Sequence, residues 1–270
     1  GAVHRGERPR VKFGEKAARE VVVDLLPHRV EGRRGLSGRV LERPRRGAIL
    51  LALRPPGREP AALGEEPIDP VRYISNRSSG KMGYAIAEAA YKRGAQVVLV
   101  SGPTALPPPR GGEGLQWETA EDMAKQMSTS LSWSTVVVMA AAGADFRPKR
   151  AAEVKLKKRG KLTTTLDLEQ TADILSTLSA RRTTQVLVGF AAETDDLLTH
   201  AKAKLISKGV DVIVANDVTR PGAGFGSDHN AATLIERDGR ITEIPLKSKR
   251  ELADDILNAA QRWLPSHKRR

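Results

Sequence analysis

The sequence predicts a doubly wound α/β domain: a mostly parallel, Rossmann-like sheet with helices on both faces, closed by a C-terminal β-hairpin and a helix. Three observations carry this. Four segments read as near-continuous Val/Leu/Ile runs (QVVLVSG, TVVVMAAA, QVLVGFAAE and DVIVAND), which is the pattern of strands buried on both faces. Helical patterns alternate with these runs, as βαβ units require. Near the end, Asp238-Gly239 stands between two alternating segments and signals a hairpin.

Taken in order, residues 1–64 differ from the rest and read as an atypical, Arg-rich N-terminal extension. It holds one helix-like stretch, Lys16–Leu26, and one apolar run, Ala48–Leu53 (AILLAL), that has the character of a buried strand. The breaker-rich RPPGREP, from Arg54 to Pro60, follows. The domain itself is expected over residues 65–270. Its strands are Arg72–Ser75, Gln96–Ser101, Thr135–Ala141, Gln185–Phe190 and Asp211–Ala215, with helices over Gly80–Arg93, Ala120–Leu131, Ala172–Ala180 and Asp195–Ser207. The first helix is Ala-rich, so it can approach the sheet closely, and Gly94 stops it. Thr119 with Asp122 gives an approximate capping signature for the second. A final amphipathic helix spans Ser248 to Leu264, and His267–Arg270 reads as a solvated tail.

Composition narrows the function. The 270 residues carry 45 Lys and Arg against 32 Asp and Glu, a formal net charge of +13. Residues 1–60 alone hold 13 Arg and 2 Lys against 7 acids, so the body of the chain is only mildly basic, as suits an enzyme of anionic substrates. Aromatic residues make up 4% and do not interleave with Arg, which counts against a nucleic-acid-binding main function. The absence of Cys excludes disulfides, thiolate zinc sites and a Cys nucleophile. No apolar run is long enough to span a membrane and no secretory h-region stands at the start, so a cytoplasmic protein is expected.

Ligands of an open parallel sheet bind beyond the carboxyl ends of its strands, so those ends are the candidate sites. Ser75–Gly83 (SNRSSGKMG) has small residues, Ser78, Ser79, Gly80 and Gly83, that would let a phosphate reach backbone N–H groups at a helix start. It can equally be a plain tight turn. Ala140–Pro148 (AAAGADFRP) leaves room for a flat ring, and Asp145 either accepts hydrogen bonds from a ribose or base or caps a turn. Lys155–Lys158 (KLKK) is a solvated face or a neutraliser of phosphate charge. GFAAET offers Phe190 as a stacking surface, Lys204 and Lys208 share one helical face, and Asn216 with Asp217 ends the last parallel strand. His229, in GSDHN, suits a structural or exposed role, and no His pair has metal-ligand spacing. The chemistry these residues imply is nucleotide binding with Lys-assisted phosphate transfer, any divalent ion riding on the nucleotide.

EPIDPVRYISNRSSGKMG, AAAGADFRP, KLKK, VGFAAET and ANDV also occur in a recognisable order and spacing. From Glu66 to Leu264 the chain resembles the bacterial CTP-dependent phosphopantothenate–cysteine ligases, usually the C-terminal half of a bifunctional coenzyme A biosynthetic protein. The resemblance implies 4′-phosphopantothenate, cysteine and CTP as substrates, Mg²⁺ as the ion, a homodimer, and an acyl-cytidylate intermediate. By motif it implies that Asn76 holds the acyl-cytidylate carbonyl and serves amide formation, and that Lys155 offsets charge during cytidylate formation. Ser78, Gly80 and Gly83 would meet nucleotide phosphates, and Ala141, Ala142 and Asp145 the cytosine and ribose. Thr171, Ala172, Phe190, Lys204 and Lys208 fall at further nucleotide-site positions. Three departures accompany it. RPPGREPAALG replaces the Gly-Gly-Thr-type loop common before EPIDPVR, Gly143 stands where a β-branched residue is common, and Ala172 stands where Pro is common. Two other functional classes fit the same fold: an NAD(P)-dependent oxidoreductase, against which stands the lack of GxGxxG, and an inactive nucleotide-binding homologue with a basic nucleic-acid-binding arm.

Overall fold

A computed structural model describes residues 48–53, 66–76, 78–102, 106, 113–116, 119–141, 144–158, 163–193, 196–217, 222–223 and 226–265; for 48–53, 113–116, 193 and 217 it describes the backbone alone. These residues begin with β1 (Ala48–Leu53), then a hairpin of β2 (Glu66–Asp69) and β3 (Arg72–Ile74), helix α1 (Lys81–Lys92) and β4 (Gln96–Ser101). β5 (Glu113–Gln116), α2 (Ala120–Ser130), a 3-10 turn (Leu131–Trp133) and β6 (Ser134–Met139) come next. A ribbon of β7 (Phe146–Pro148) and β8 (Leu168–Gln170) precedes α3 (Ile174–Arg181), β9 (Val186–Glu193), α4 (Leu197–Lys208) and β10 (Val212–Asp217). β11 (His229–Glu236), β12 (Ile241–Ser248) and α5 (Lys249–Arg262) follow.

The main sheet has eight strands in the order β12-β11-β10-β9-β6-β1-β4-β5. From β5 to β10 every pairing is parallel, and β11 and β12 add an antiparallel edge. Chain order reverses at β1, which places the topological switch point between β1 and β6. The doubly wound fold class expected from the sequence is therefore the observed one.

The Val-rich runs explain the layering. Successive side chains of a strand point to opposite faces. Val97, Val136, Val138, Val186, Val188, Val212 and Val214 pack on the α1/α5 side. Val98, Val100, Val137, Leu187 and Ile213 pack on the α2/α3/α4 side. Ala87, Ala90, Ala253 and Ala260 are fully buried and bring α1 and α5 close to the sheet and to each other. Arg93 bridges those two helices, donating from Nε and NH2 to Asp254 (3.0 and 2.7 Å) and from NH1 to Asn258 Oδ1 (2.8 Å). α2 begins with the capping box that Thr119 and Asp122 announce, and Ser248 with Glu251 builds another at α5.

Two expectations change. The run Ala48–Leu53, assigned to the extension, lies in the middle of the sheet, paired with β4 on one side and β6 on the other. The sheet thus starts before residue 65. Arg72–Ser75 is not a strand of this sheet; Arg72–Ile74 pairs antiparallel with Glu66–Asp69 in a separate hairpin. The buried carboxylate of Asp69 directs that outcome by accepting from Val71 N (2.9 Å) and Arg72 N (3.0 Å), which closes the turn. The Lys16–Leu26 helix, the RPPGREPAALG loop, Gly143 and the C-terminal tail lie outside the described residues.

Candidate active site

A cavity of about 400 Å³ opens above the carboxyl ends of β6, β9 and β10, beside the start of α1. This is the place the switch point dictates. Four of its walls matter for the chemistry.

The first wall is the approach to α1. Gly80 caps the helix in the left-handed region (φ 69°), which a Gly adopts without steric penalty. The helix has no side-chain cap and no acidic residue in its first turn. Its positive dipole end is thus available to an anion. Asn76, Ser78, Gly80 and Gly83 all line the cavity.

The second wall follows β6. Ala140, Ala141, Ala144 and Asp145 line it together with Gln170, Thr171 and Ala172 from the end of β8. The two segments are fastened: Thr171 N donates to Asp145 O (3.0 Å) and Thr171 Oγ1 to Ala144 O (2.6 Å). Small side chains and a fixed backbone leave a slot suited to a planar ring, with exposed Asp145 at its edge. Ala142 lies outside the described residues.

The third wall is cationic. Lys204 and Lys208, one turn apart on α4, both reach the cavity. Lys208 forms an ion pair with Asp173, the N-cap of α3, which also accepts from Ser176 N (3.0 Å) and Ser176 Oγ (2.6 Å). Burial pushes the Asp173 carboxyl up, but the bonds from Lys208 and Ser176 outweigh it and hold the group below its ordinary range.

The fourth wall combines Phe190 and Ala192 of β9, Asn216 of β10, Asn230 of β11 and Lys249 of α5. Asn230 and Lys249 are 4% and 7% exposed. Lys249 donates to Ser227 O, and burial first, then the charge of Lys81, lowers its pKa. Lys81, at the first position of α1, donates to Gly226 O (2.8 Å) and Asp228 Oδ1 (2.7 Å) on the same loop.

Of the residues expected from the sequence, the structure brings together Asn76, Ser78, Gly80, Gly83, Ala141, Asp145, Thr171, Ala172, Phe190, Lys204 and Lys208. Lys155 is not brought to this cavity. Its neighbour Leu156 is clasped to the β2–β3 hairpin, with Leu156 N donating to Asp69 Oδ2 (3.1 Å) and Arg72 NH2 to Leu156 O (2.9 Å). Arg72 also pairs directly with Asp69 and holds that carboxyl well below the usual range, against the opposing effect of burial. Asn230, Lys249, Asp173 and Gln170 are additions that sequence reasoning missed. For Asn230 and Lys249 the signal was the hairpin: an antiparallel pair appended to parallel strands begins and ends at their carboxyl edge. Among the described residues, no group of three His, Cys, Asp or Glu could hold a metal ion, and no helix is long and apolar enough to cross a membrane.

Comparison with known proteins follows the same lines. The family model described as the DNA/pantothenate metabolism flavoprotein C-terminal domain matches residues 61–263. The coenzyme A biosynthesis bifunctional protein CoaBC of Bacillus subtilis (strain 168) is 46% identical over 194 residues, covering 71% of this chain and 47% of that protein. The chain thus spans about half the length of the curated relatives it matches. The crystal structure of a CoaBC C-terminal domain superimposes with a TM-score of 0.64 at 41% identity, over 78% of this chain and 92% of the other. A Cab2 mutant in complex with phosphopantothenate-cysteine has the same fold (TM-score 0.63, 15% identity, 80% of this chain and 87% of the other).

Proposed function

We propose that this chain, which belongs to the family of the DNA/pantothenate metabolism flavoprotein C-terminal domain, is a ligase that joins 4′-phosphopantothenate to cysteine at the expense of CTP. The observation that carries the reading is the convergence of Asn76, Ser78, Gly80 and Gly83, the slot at Ala141 and Asp145, Phe190 and the Lys204/Lys208 pair on one cavity at the switch point. The names of its relatives point to coenzyme A biosynthesis.

In this reading the carboxylate of 4′-phosphopantothenate attacks the α-phosphorus of CTP. Pyrophosphate leaves, and an acyl-cytidylate remains. The cysteine amine then attacks the acyl carbonyl, CMP departs and the amide forms. Substrate groups supply both nucleophiles, so the protein's task is positioning and charge stabilisation. The α1 N-terminus with Ser78, Gly80 and Gly83 receives phosphate oxygens. The slot formed by Ala141, Asp145, Thr171 and Ala172 holds the nucleoside, with Phe190 against a flat face. Lys204, Lys208 and Lys249 balance the triphosphate charge. Asn76 holds the acyl carbonyl for the second step. Mg²⁺ would ride on the triphosphate and shield its charge; Asp145 and Asp173 are the carboxylates at hand in the cavity.

Lys155 enters through assembly. Val71, Phe146, Val154, Leu156 and Leu168 are 41–74% exposed on the β2–β3 hairpin, the β7–β8 ribbon and the intervening segment. Such a patch suits burial against a second copy. In the homodimer this lysine serves cytidylate formation from a segment outside its own cavity wall. A cytoplasmic location accords with the substrates.

The test is pyrophosphate release from CTP, 4′-phosphopantothenate and Mg²⁺, with and without cysteine, with products analysed by mass. Cysteine-dependent 4′-phosphopantothenoylcysteine is the expected result. A folded protein that binds no CTP refutes the reading.

A further inference from the structure

The amides of Asn230 and Asn216 meet at the cavity floor, and their polarity is determined. Ala231 N, a backbone group that can only donate, donates to Asn230 Oδ1 (3.0 Å). The atom of Asn230 that faces Asn216 is therefore Nδ2, which donates to Asn216 Oδ1 (3.0 Å). Asn216 must turn its oxygen toward Asn230 and its Nδ2 the other way. Ordinarily the two ends of an amide are interchangeable by a flip. Here the chain from a backbone N–H removes that freedom, and burial of Asn230 to 4% exposure keeps water from relaxing it. Both residues line the cavity, Asn216 at the carboxyl end of β10 beside Ala192 of β9.

We propose that Asn230 is a positioning residue that fixes Asn216 as a hydrogen-bond donor toward an acceptor oxygen of the bound nucleotide. This rests on the nucleotide reading of the cavity. An Asp at position 230 would still accept from Ala231 N, but its second oxygen would face Asn216. The Asn216 amide would then flip and present its own oxygen to a ligand oxygen. An Ala at 230 would leave the Asn216 amide free to take either orientation.

The experiment is calorimetric titration of the full chain with CTP and Mg²⁺, with folding checked by thermal unfolding. Asn230→Asp and Asn216→Ala should each weaken CTP binding about tenfold or more, and Asn230→Ala by clearly less. A merely structural role gives the opposite order, because Asp keeps the size and the Ala231 contact that Ala loses. In the Asn216→Ala background, Asn230→Asp should have no further effect. A further loss there means that the new charge acts on the ligand directly, and overturns the proposal, as does Asn230→Ala matching or exceeding Asn230→Asp. If a variant fails to fold, the wild-type protein labelled at asparagine decides: the Asn216 side-chain NH₂ resonances should shift on CTP addition, and unshifted signals overturn the proposal. Wild type that binds no CTP is a different result; it removes the nucleotide reading itself.

Discussion

Gly189 links core packing to the cavity through its neighbours Leu175 and Phe190. It lies in β9 immediately before Phe190. A Cβ there would meet Leu175 Cδ2 at 2.9 Å and Ile213 Cδ1 at 3.0 Å, both well inside ordinary contact. Ile213 is fully buried in the α2/α3/α4 layer and has nowhere to retreat. Leu175 is the softer neighbour, because it borders the cavity. Overpacking of a core by one methyl costs about 1–3 kcal/mol. With one yielding and one fixed neighbour, about 2 kcal/mol is expected for Gly189→Ala, a drop in Tm of about 4–8 °C. The displaced Leu175 moves toward the nucleotide slot, so CTP affinity should fall as well. Gly94→Ala is the comparison. Nothing lies within 4 Å of its Cβ, but φ is +83°. Its cost is backbone strain alone, about 1 kcal/mol, without effect on CTP. Thermal unfolding and titration of both variants check this. An unchanged Tm for Gly189→Ala, or equal loss of CTP binding in Gly94→Ala, refutes the reasoning.

Asn76→Ala should spare pyrophosphate release and impair amide formation, whereas Lys155→Gln should suppress pyrophosphate release itself; single-turnover assays with and without cysteine separate the steps. Asp173 has its carboxyl held low by Lys208 and Ser176, so the stability it contributes is present above the ordinary carboxylate range and is lost as pH falls through its lowered value. Asp173→Asn should therefore lower Tm at neutral pH and flatten its decline in acid, as measured by unfolding at a series of pH values. Lys249 has the reverse sign. Its pKa is lowered on folding, so its charge opposes folding at neutral pH and the penalty fades as pH rises toward the ordinary Lys range. Lys249→Met should keep or raise Tm while weakening CTP binding in calorimetry. Val71→Asp with Phe146→Asp should give a monomer in sedimentation or light scattering, with loss of ligation.

The sheet was legible because each central strand is buried on both faces, which writes an unbroken Val/Leu/Ile run into the sequence at β4, β6, β9 and β10. β1 carries the same signal in AILLAL, but its Arg-rich surroundings masked its place between β4 and β6. The run around Tyr73 looks like a strand and is one, yet its partner is set by the buried Asp69 rather than by hydrophobicity. β5, β7 and β8 are too short for periodicity to register. At the site, spacing alone offered the small residues of the strand-end loops and put the two α4 lysines on one helical face; their assignment to a nucleotide site came from the family resemblance. Asn230 and Lys249 could not, because they reach the cavity only through the antiparallel return of β11 and β12.

The clasp at Asp69 explains why a lysine so apparent in the sequence is absent from its own chain's cavity. One carboxylate closes the β2–β3 turn and, through Leu156 N, holds the KLKK segment against that hairpin. Arg72 completes the grip from the other side by donating to Leu156 O. Hairpin and lysine segment are thus fastened together, and they carry exposed Val71, Val154 and Leu156. Whatever buries those apolar groups also determines where Lys155 sits. In the proposed homodimer, covering that surface and bringing Lys155 to the triphosphate are one docking event, with Asp69 as the residue that couples them.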